Sequence, residues 1–401
     1  MSPEIADSIR ASLERPPRRP SFDVVDAVAL PFRILVLPLR AVGIGLAELA
    51  GLLVTEETQG LPPFVQAMLD AGFRPGLGTI GPRSGIAARL RYVRASPLFF
   101  DAAFSIRTSQ RYQAGLRFDS QTGRFLEASY TFQRNAAPHF WGIGPDAPKS
   151  ALSDYLWDQQ QAAVFAGSRV ALVRLFLNAA YEDNRVGRSK GRASDIQDDL
   201  AFDSLYGVNE RVKYATGTAS LALNFTRQSG FQERGFSLQL GSTVFRGVDA
   251  TDSDFHRFDL ILRGYVPLNR RQQFAFQFLA QENRPDSGQG VPFYHLARLG
   301  SELGARSLNQ DRFRDLAMAA LMTEWRYEVW RELQGRSRVE AFFLFDIGAV
   351  DSRVTSISLG NTVRSYGFGW RLVTTRGGSF VTYLAFGKEE LRFRIKFETA
   401  Y

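Results

Sequence analysis

The sequence predicts an all-β protein: a 16-stranded antiparallel transmembrane β-barrel preceded by a short N-terminal helical segment. Three observations carry this expectation. From residue 72 onward, apolar and polar residues alternate with a period of two. The alternating segments run to about 9–11 residues, the length a tilted strand needs to cross a bilayer. Tight turns and long polar loops then alternate along the middle of the chain. Composition agrees, since 33 Phe, 13 Tyr and 35 Gly against 4 Met and no Cys favour strands and turns over helices. The mean hydropathy of -0.17 excludes a bundle of membrane helices. It does not exclude a barrel, which turns only alternate residues to lipid.

The lead, residues 1–71, is read as a separate periplasmic-side segment. "MSPEIADSIRASLERPPRRP" is polar and carries no apolar core of a signal peptide. Either the protein stays inside, or a signal was removed before this numbering begins; the strands favour removal. Residues 23–55 form the most apolar stretch. Pro31 and Pro38 interrupt it, and Asp26, Arg33, Arg40 and Glu48 would be costly at bilayer depth. Short helical pieces lying at an interface fit it better than a span. "PPFVQAMLDAG" (62–72) reads as a short amphipathic helix, with Pro at its start and Gly at its end.

The barrel occupies residues 72–401. Its sixteen segments fall near 72–80, 84–94, 99–109, 111–119, 124–134, 156–166, 168–182, 215–226, 232–246, 254–267, 270–282, 314–328, 336–349, 362–374, 378–387 and 389–400. In the seventh, Val173, Leu175, Leu177, Ala179 and Tyr181 oppose Arg174, Asn178 and Glu182. In the eleventh, Phe274, Phe276 and Phe278 oppose Gln273, Gln277 and Gln281. In the thirteenth, Phe343, Phe345 and Ile347 oppose Glu340 and Asp346. In the last, Leu391, Phe393, Ile395, Phe397 and Tyr401 oppose Arg392, Arg394, Lys396 and Glu398. Long loops fall at 135–155, 183–214 and 283–313, and tight turns at "GS" (167–168) and "LNR" (268–270). A soluble sandwich or lipocalin-like barrel would use shorter strands split among domains. In lipid the sheet must close so that every backbone group is paired.

The loop after the eleventh strand is long and charged: "LGSELGARSLNQDRFRD" (299–315). It resembles the sixth outer loop of the BamA/TamA-type bacterial surface antigen family of outer-membrane assembly and secretion barrels. Leu299 and Gly300 match the start of that family's loop motif, Arg306 its tip arginine, and Arg312, Phe313, Arg314 and Asp315 its closing stretch. Glu324, Trp325 and Arg326 resemble a following Glu-Tyr-Arg motif. "LFDIG" matches a strand motif through Asp346 and Gly348, "GFGWRL" another through Gly367, Gly369 and Arg371, and "FWGIG" (140–144) an earlier outer loop. The sequence departs from the family at the tip, where Arg306-Ser307-Leu308 replaces Arg-Gly-aromatic.

The resemblance implies a protein of the bacterial outer membrane that assists insertion or translocation of proteins or lipids. It implies that the loop folds into the lumen and that Arg306 pairs with Asp346. Independently, strand parity places Asp346, Gly367, Gly369 and Arg371 on lumen-facing sides, with the glycines leaving room for a loop. The family's POTRA modules are not recognisable in residues 1–71, so either they were trimmed or this is a barrel-only relative. Two other roles stay open: a scaffold whose periplasmic partner binds through residues 23–55, or a passive pore plugged by its sixth outer loop. The ending in Phe393, Phe397 and Tyr401 resembles the signal by which the outer-membrane assembly machinery recognises its clients. Lipid and that machinery are thus the partners implied.

Other chemistries are disfavoured. No Cys means no disulfide framework and no thiol nucleophile. The net charge of +8 is spread singly, with "RPPRRP" (15–20) the one cluster, so nucleic acid is not expected. His139, His256 and His295 fall in no hydrolase or metalloprotease motif, though Ser287 and Ser301 lie near His295 in sequence. "SDIQDDLAFD" (194–203) could offer carboxylates to a divalent cation, but solvated loop acidity is the simpler reading. No enzyme activity, metal or cofactor is expected.

Overall fold

The computed structural model describes residues 63–399, apart from short stretches at 82, 94–96, 190, 200–201, 204, 230–231, 249–250, 252, 289, 333–336 and 375–377. The readings made for residues 1–62, the apolar stretch 23–55 included, lie outside the described residues. Helix α1 (Pro63–Asp70) comes first and ends where Gly72 takes a positive φ of 95°. Sixteen wall strands follow, with shorter ones in the connections: β1 (Phe73–Gly78), β2 (Ala87–Val93), β3 (Leu98–Ser105), β4 (Gln110–Asp119), β5 (Arg124–Asn135), β6 (Leu156–Val170), β7 (Val173–Gly187) and β8 (Arg211–Asn224). Then come β9 (Gln232–Gly247), β10 (Ser253–Pro267), β11 (Gln272–Gly288), β12 (Ala317–Arg331), β13 (Ser337–Asp351), β14 (Val363–Thr374), β15 (Gly378–Gly387) and β16 (Leu391–Thr399).

Each strand pairs antiparallel with the next, from β1 through β16. The sequential order follows from short connections, which can only join antiparallel neighbours. Arg83, between β1 and β2, lies within electrostatic reach of Arg392 and Arg394 on β16, at the other end of the sheet. Among the described residues, no ladder joins β1 to β16. Strand length tapers toward that seam. It is 14–17 residues from β6 to β13, but 6, 7 and 8 in β1–β3 and 10 and 9 in β15 and β16.

The alternation sorts side chains as the sequence predicts. Leu175, Leu177, Phe236, Phe343, Phe368, Phe393 and Ile395 point outward and are exposed. Glu182, Gln273, Glu340 and Asp346 point inward and are buried. One predicted turn is corrected. Gly167 and Ser168 lie inside β6, and the turn falls at Ala171–Leu172, where Ala171 takes a φ of 52°. Gly167 is needed for packing instead, because a Cβ there would lie 2.1 Å from the Phe125 ring.

Connections at one end are tight; those at the other include 136–155, 188–210, 289–316 and 352–362. Three of these long loops pack on one another. Phe140 and Tyr155, Ile196, Phe202 and Val208, and Phe293, Tyr294 and Leu296 form one apolar cluster. The long-loop end is therefore capped by a small core of its own. Toward the short-turn end the lumen keeps a cavity of about 570 Å³, with Arg263, Glu324, Arg326, Glu340, Arg371 and Lys396 in its lining.

An outward apolar belt with an inward polar face should make substitutions side-dependent. Leu177→Arg, on the belt, is expected to destabilise the bilayer-embedded protein by about 2–4 kcal/mol, the midplane penalty for arginine. The lumen-facing neighbour change Asn178→Arg is expected to cost less than half as much. Urea unfolding in phosphatidylcholine vesicles checks this; equal costs would contradict the assignment of faces.

Candidate functional site

Residues 289–316 are a folded insert rather than an open loop. Ala297–Leu299 pairs antiparallel with Phe313–Asp315, making a short hairpin. Gly300 turns the chain out of this ladder with a φ of 144°, and a Cβ there would lie 2.2 Å from the Asn309 carbonyl oxygen. No other residue type fits that turn. Leu299, Ala305, Leu308 and Phe313 then bury against Leu279, Met318, Ala320 and Val350 of the wall. Gly348 on β13 permits this contact, since its Cβ would be 2.7 Å from Leu299 Cδ1.

The apolar packing sets the tip of the insert at the wall. Arg306 Nε donates to both Asp346 oxygens, at 3.2 and 3.0 Å, and Nη2 donates to Oδ1 at 2.6 Å. The Arg306 backbone amide also donates to Asp346 Oδ2, at 2.9 Å. Nη1 reaches Glu324 on β12, and Nη2 donates to the Thr323 carbonyl at 3.1 Å. The guanidinium thus faces two carboxylates and one carbonyl, and Asp346 is fully buried. The planar fork explains the choice of arginine, which matches a carboxylate bidentately where lysine would offer a point charge.

The Ser at the tip is accommodated by the wall. Ser307 Oγ lies 2.7 Å from Ser365 Oγ on β14, and the Ser307 amide donates to the same oxygen at 3.1 Å. A Cβ at Gly387 on β15 would be 2.1 Å from Ser307 Oγ. A wall glycine thus leaves the space that the Ser307 side chain occupies. This corrects the expected role of Gly367 and Gly369. Added Cβ atoms there would meet wall atoms, the Leu384 and Thr382 carbonyl oxygens and the Phe342 ring, and no loop residue. Sequence reasoning missed Gly387 and Ser365; only their lateral neighbourhood to Asp346 across β13–β15 singles them out.

The other predicted residues divide. Arg371 Nη2 approaches Glu324 at 3.4 Å and so joins the Arg306 network at one remove. Arg312 points the other way, donating to both Glu389 oxygens at 2.9 Å and to the Ala147 carbonyl at 2.8 Å. Arg314 is buried in the loop cap, where it donates to the His139 carbonyl at 3.0 Å and to the Tyr155 hydroxyl at 3.1 Å. Asp315 pairs in the hairpin with Ala297 and, among the described residues, makes no hydrogen bond or ion pair with Arg306; burial raises its carboxyl above the usual range. In "FWGIG", Phe140 and Trp141 are buried in the cap and Ile143 is exposed. Phe393 faces outward, 64% exposed. The Phe397 side chain and Tyr401 lie outside the described residues.

The three histidines fall in three settings. His139 pairs with Asp154 inside the cap. His256 lies 3.4 Å from Asp286 at the rim. His295 is buried among Tyr214, Phe245 and Tyr294, with Glu182 at 3.9 Å. Among the described residues it does not hydrogen-bond with Ser301, and the Ser287 side chain lies outside them. The acidic loop is structural. Asp195 caps the short turn at Ile196–Asp198, Asp198 pairs with Arg188 at 3.0 Å, and Asp199 accepts from Ser153. Among the described residues no cluster of three or more His, Asp or Glu could hold a metal.

The fold is shared with solved barrels. BamA from Haemophilus ducreyi lacking POTRA domains 1–3 superposes with a TM-score of 0.59 at 14% identity, over 81% of this chain and 68% of that one. CdiB from Escherichia coli gives a TM-score of 0.51 at 13% identity, over 80% and 60%. CdiB from Acinetobacter baumannii gives 0.50 at 12%, over 79% and 56%. Neither a protein family nor a curated protein matches the sequence. The likeness establishes the fold: a barrel of the BamA and CdiB kind.

Two expectations follow. Asp346→Ala leaves the buried Arg306 with Glu324 as its one remaining carboxylate, and is expected to cost about 3–5 kcal/mol in urea unfolding, because breaking a buried pair strands a charge. Adding Arg306→Met should recover part of that loss; no recovery would argue against a charge penalty. The second concerns acid. Burial, then Arg257 and Arg298, hold the His295 imidazole well below the usual histidine range. The unfolded insert therefore binds a proton that the folded one rejects. His295 packing is fully stabilising above about pH 6.5 and is lost as pH falls below it. Trypsin cleavage within 289–316 should rise between neutral pH and about pH 5, and His295→Gln should flatten that rise.

Proposed function

We propose that the chain is a BamA/TamA-type barrel of the bacterial outer membrane, with its long-loop end outside. In this reading it assists insertion or translocation of proteins or lipids through its wall at the β1–β16 seam. The observation that carries the proposal is the tapering wall. Six residues of β1 extend about 20 Å, less than the roughly 25 Å apolar band of an outer-membrane barrel. The strands farthest from the seam have more than twice that length. A bilayer thins to meet a short wall. The same two strands have backbone edges that no ladder joins among the described residues. A thinned bilayer beside unpaired strand edges lowers the barrier for an incoming strand, which can pair by β-augmentation.

The loop tether supports this reading from the opposite side. Arg306 fixes the insert to β12 and β13, and Arg312 ties it to the β15–β16 turn through Glu389. The insert spans the wall on one side of the seam and holds it in register. The packed cap at the long-loop end favours transfer at the wall over free passage through the lumen, and so disfavours the passive pore. Lipid and the assembly machinery that would read β16 are the proposed partners. The role is mechanical rather than enzymatic.

The absence of native cysteine makes the seam testable. Leu77→Cys with Ile395→Cys, joined by a bis-maleimide, should abolish acceleration of a second barrel's folding into liposomes, while the unjoined pair retains it. Arg306→Ala should lower the rate without needing the crosslink. Acceleration that survives the crosslink would remove the seam from the mechanism, and no acceleration by the unmodified protein would overturn the insertion reading.

A further inference from the structure

The lumen cavity near the short-turn end has more basic groups in its lining than the wall satisfies. Three of them have a carboxylate each. Arg306 holds Asp346, Arg338 lies 2.8 Å from Glu340, and Lys396 lies 2.9 Å from Glu302. The other three are Arg263 on β10, Arg326 on β12 and Arg371 on β14. Glu324 serves two of these as well as Arg306. Its Oε2 accepts from Arg326 Nε at 2.8 Å and meets Arg371 Nη2 at 3.4 Å, while Arg306 takes Oε1. Arg263 donates from Nε to the Gln277 amide oxygen at 2.8 Å, and among the described residues it makes no ion pair. Glu233, the remaining carboxylate of the lining, stands by Tyr265 and among the described residues makes no ion pair either. Three guanidiniums thus face two carboxylates, one of which Arg306 has already engaged.

Each of these guanidiniums is held at one edge and open at another. Arg326 Cζ lies 5.8 Å from the centre of the Tyr265 ring, and Arg371 Cζ lies 5.8 Å from that of Phe342. A ring face attracts the cation and leaves the N–H edges available. Arg263 and Arg326 spend Nε on the wall, and among the described residues their terminal nitrogens have no hydrogen-bond partner. Arg371 Nε is buried without an acceptor. Tyr383 lines the same cavity, is 3% exposed, and its hydroxyl has no partner. Buried donors are nearly always satisfied in folded proteins, and an unsatisfied one is costly. Donors here outnumber acceptors, and a guanidinium fork matches the oxygens of a phosphate or carboxylate bidentately. The cavity, about 570 Å³, has the size of a small-molecule site.

We infer that Arg263, Arg326 and Arg371, with Tyr383, form a lumenal binding site for a small polyvalent oxyanion, a molecule carrying phosphate or carboxylate groups. The packed loops close the long-loop end, so the ligand enters from the short-turn end. Bound there, it joins β10, β12 and β14 across the lumen. It also takes over Arg326 and Arg371, the two groups that compete with Arg306 for Glu324, so occupancy of the cavity is coupled to the loop tether. The inference rests on the fold and the lumen, not on what the seam does.

Isothermal titration of the folded protein in neutral detergent with pyrophosphate, and separately with citrate, tests it. At least one should bind saturably, one molecule per barrel, and tighter than chloride. The tighter of the two tells a phosphate ligand from a carboxylate one, and either supports the site. Arg263→Gln with Arg371→Gln should weaken that binding about tenfold or more, the contribution of charge-assisted hydrogen bonds. Arg169→Gln with Arg174→Gln removes the same charge from the exposed β6–β7 turn and should change nothing. No saturable binding of either anion would overturn the inference, leaving a cavity that holds only water. So would equal binding by the wild type and the first variant. An equal loss in the control pair would reduce the effect to net charge. A hexaglutamate peptide that binds where both small anions fail would give the cavity to a protein segment instead. Single Arg263→Gln, which breaks no ion pair, keeps the comparison usable if the double variant misfolds, and heat-modifiable gel mobility reports folding separately. A seam assay that fails in a barrel that still binds the anion would leave this inference standing.

Discussion

The contact between Arg306 and Asp346 decides how the remaining insert is arranged. A guanidinium and a carboxylate that are both withdrawn from water cost several kcal/mol each to desolvate, and their attraction roughly returns that cost. The pair therefore adds little net stability but fixes a position sharply, because the geometry tolerates only one orientation of the fork. Once Arg306 is fixed, Ser307 falls on Ser365, Leu308 falls into the apolar seat beside Val350, and the hairpin at Leu299 and Phe313 is held at the wall. From that hairpin Arg312 and Arg314 extend in different directions, one to the last turn and one into the cap. A single buried pair thus organises contacts with β12 to β15 and with two other long loops.

The wall has the opposite logic. Its stability is distributed over a ladder of antiparallel neighbours, and among the described residues that ladder stops between β1 and β16. Proteins usually shorten or cover strand edges to prevent unwanted pairing. Here both edges are short, and β1 contains Pro75, which cannot donate to a ladder. The insert is anchored on the same side of the barrel as β15 and β16. The long-stranded wall, β6 to β13, lies on the other side. Strand length thus divides the wall into a long-stranded side and a short-stranded side, and the tethered insert contacts β13 on the one and the β15–β16 turn on the other.

The barrel was legible in the sequence because a strand that faces lipid on one side and water on the other must alternate at every residue. Leu391, Phe393 and Ile395 against Arg392 and Arg394 is one instance, and the exposures follow it. Turn positions were less legible. Gly167-Ser168 has turn composition but lies within β6, because Gly167 gives the Phe125 ring its space and the chain turns later at Ala171. The pairing partners Arg306 and Asp346 were named through a family resemblance and through parity, which placed Asp346 on the inner face. The glycines were half legible. Parity put Gly367 and Gly369 on the lumen side, but it could not tell a glycine that admits a neighbouring strand from Gly387, which admits the loop.

The sequence by itself determined which residues face lipid and which face the lumen, how many strands there are, and where the long loops emerge. All of these depend on local periodicity and on backbone groups that must be paired in a bilayer. Only the tertiary structure decided which loop residue meets which wall residue, that Arg312 serves the last turn while Arg306 serves β13, and that Arg185 stands opposite Arg211. These contacts join residues 26 to 77 positions apart, at distances fixed by strand register and barrel curvature. A pattern with a period of two carries no information about register between strands, so charge balance across a face becomes visible only when the strands are laid side by side.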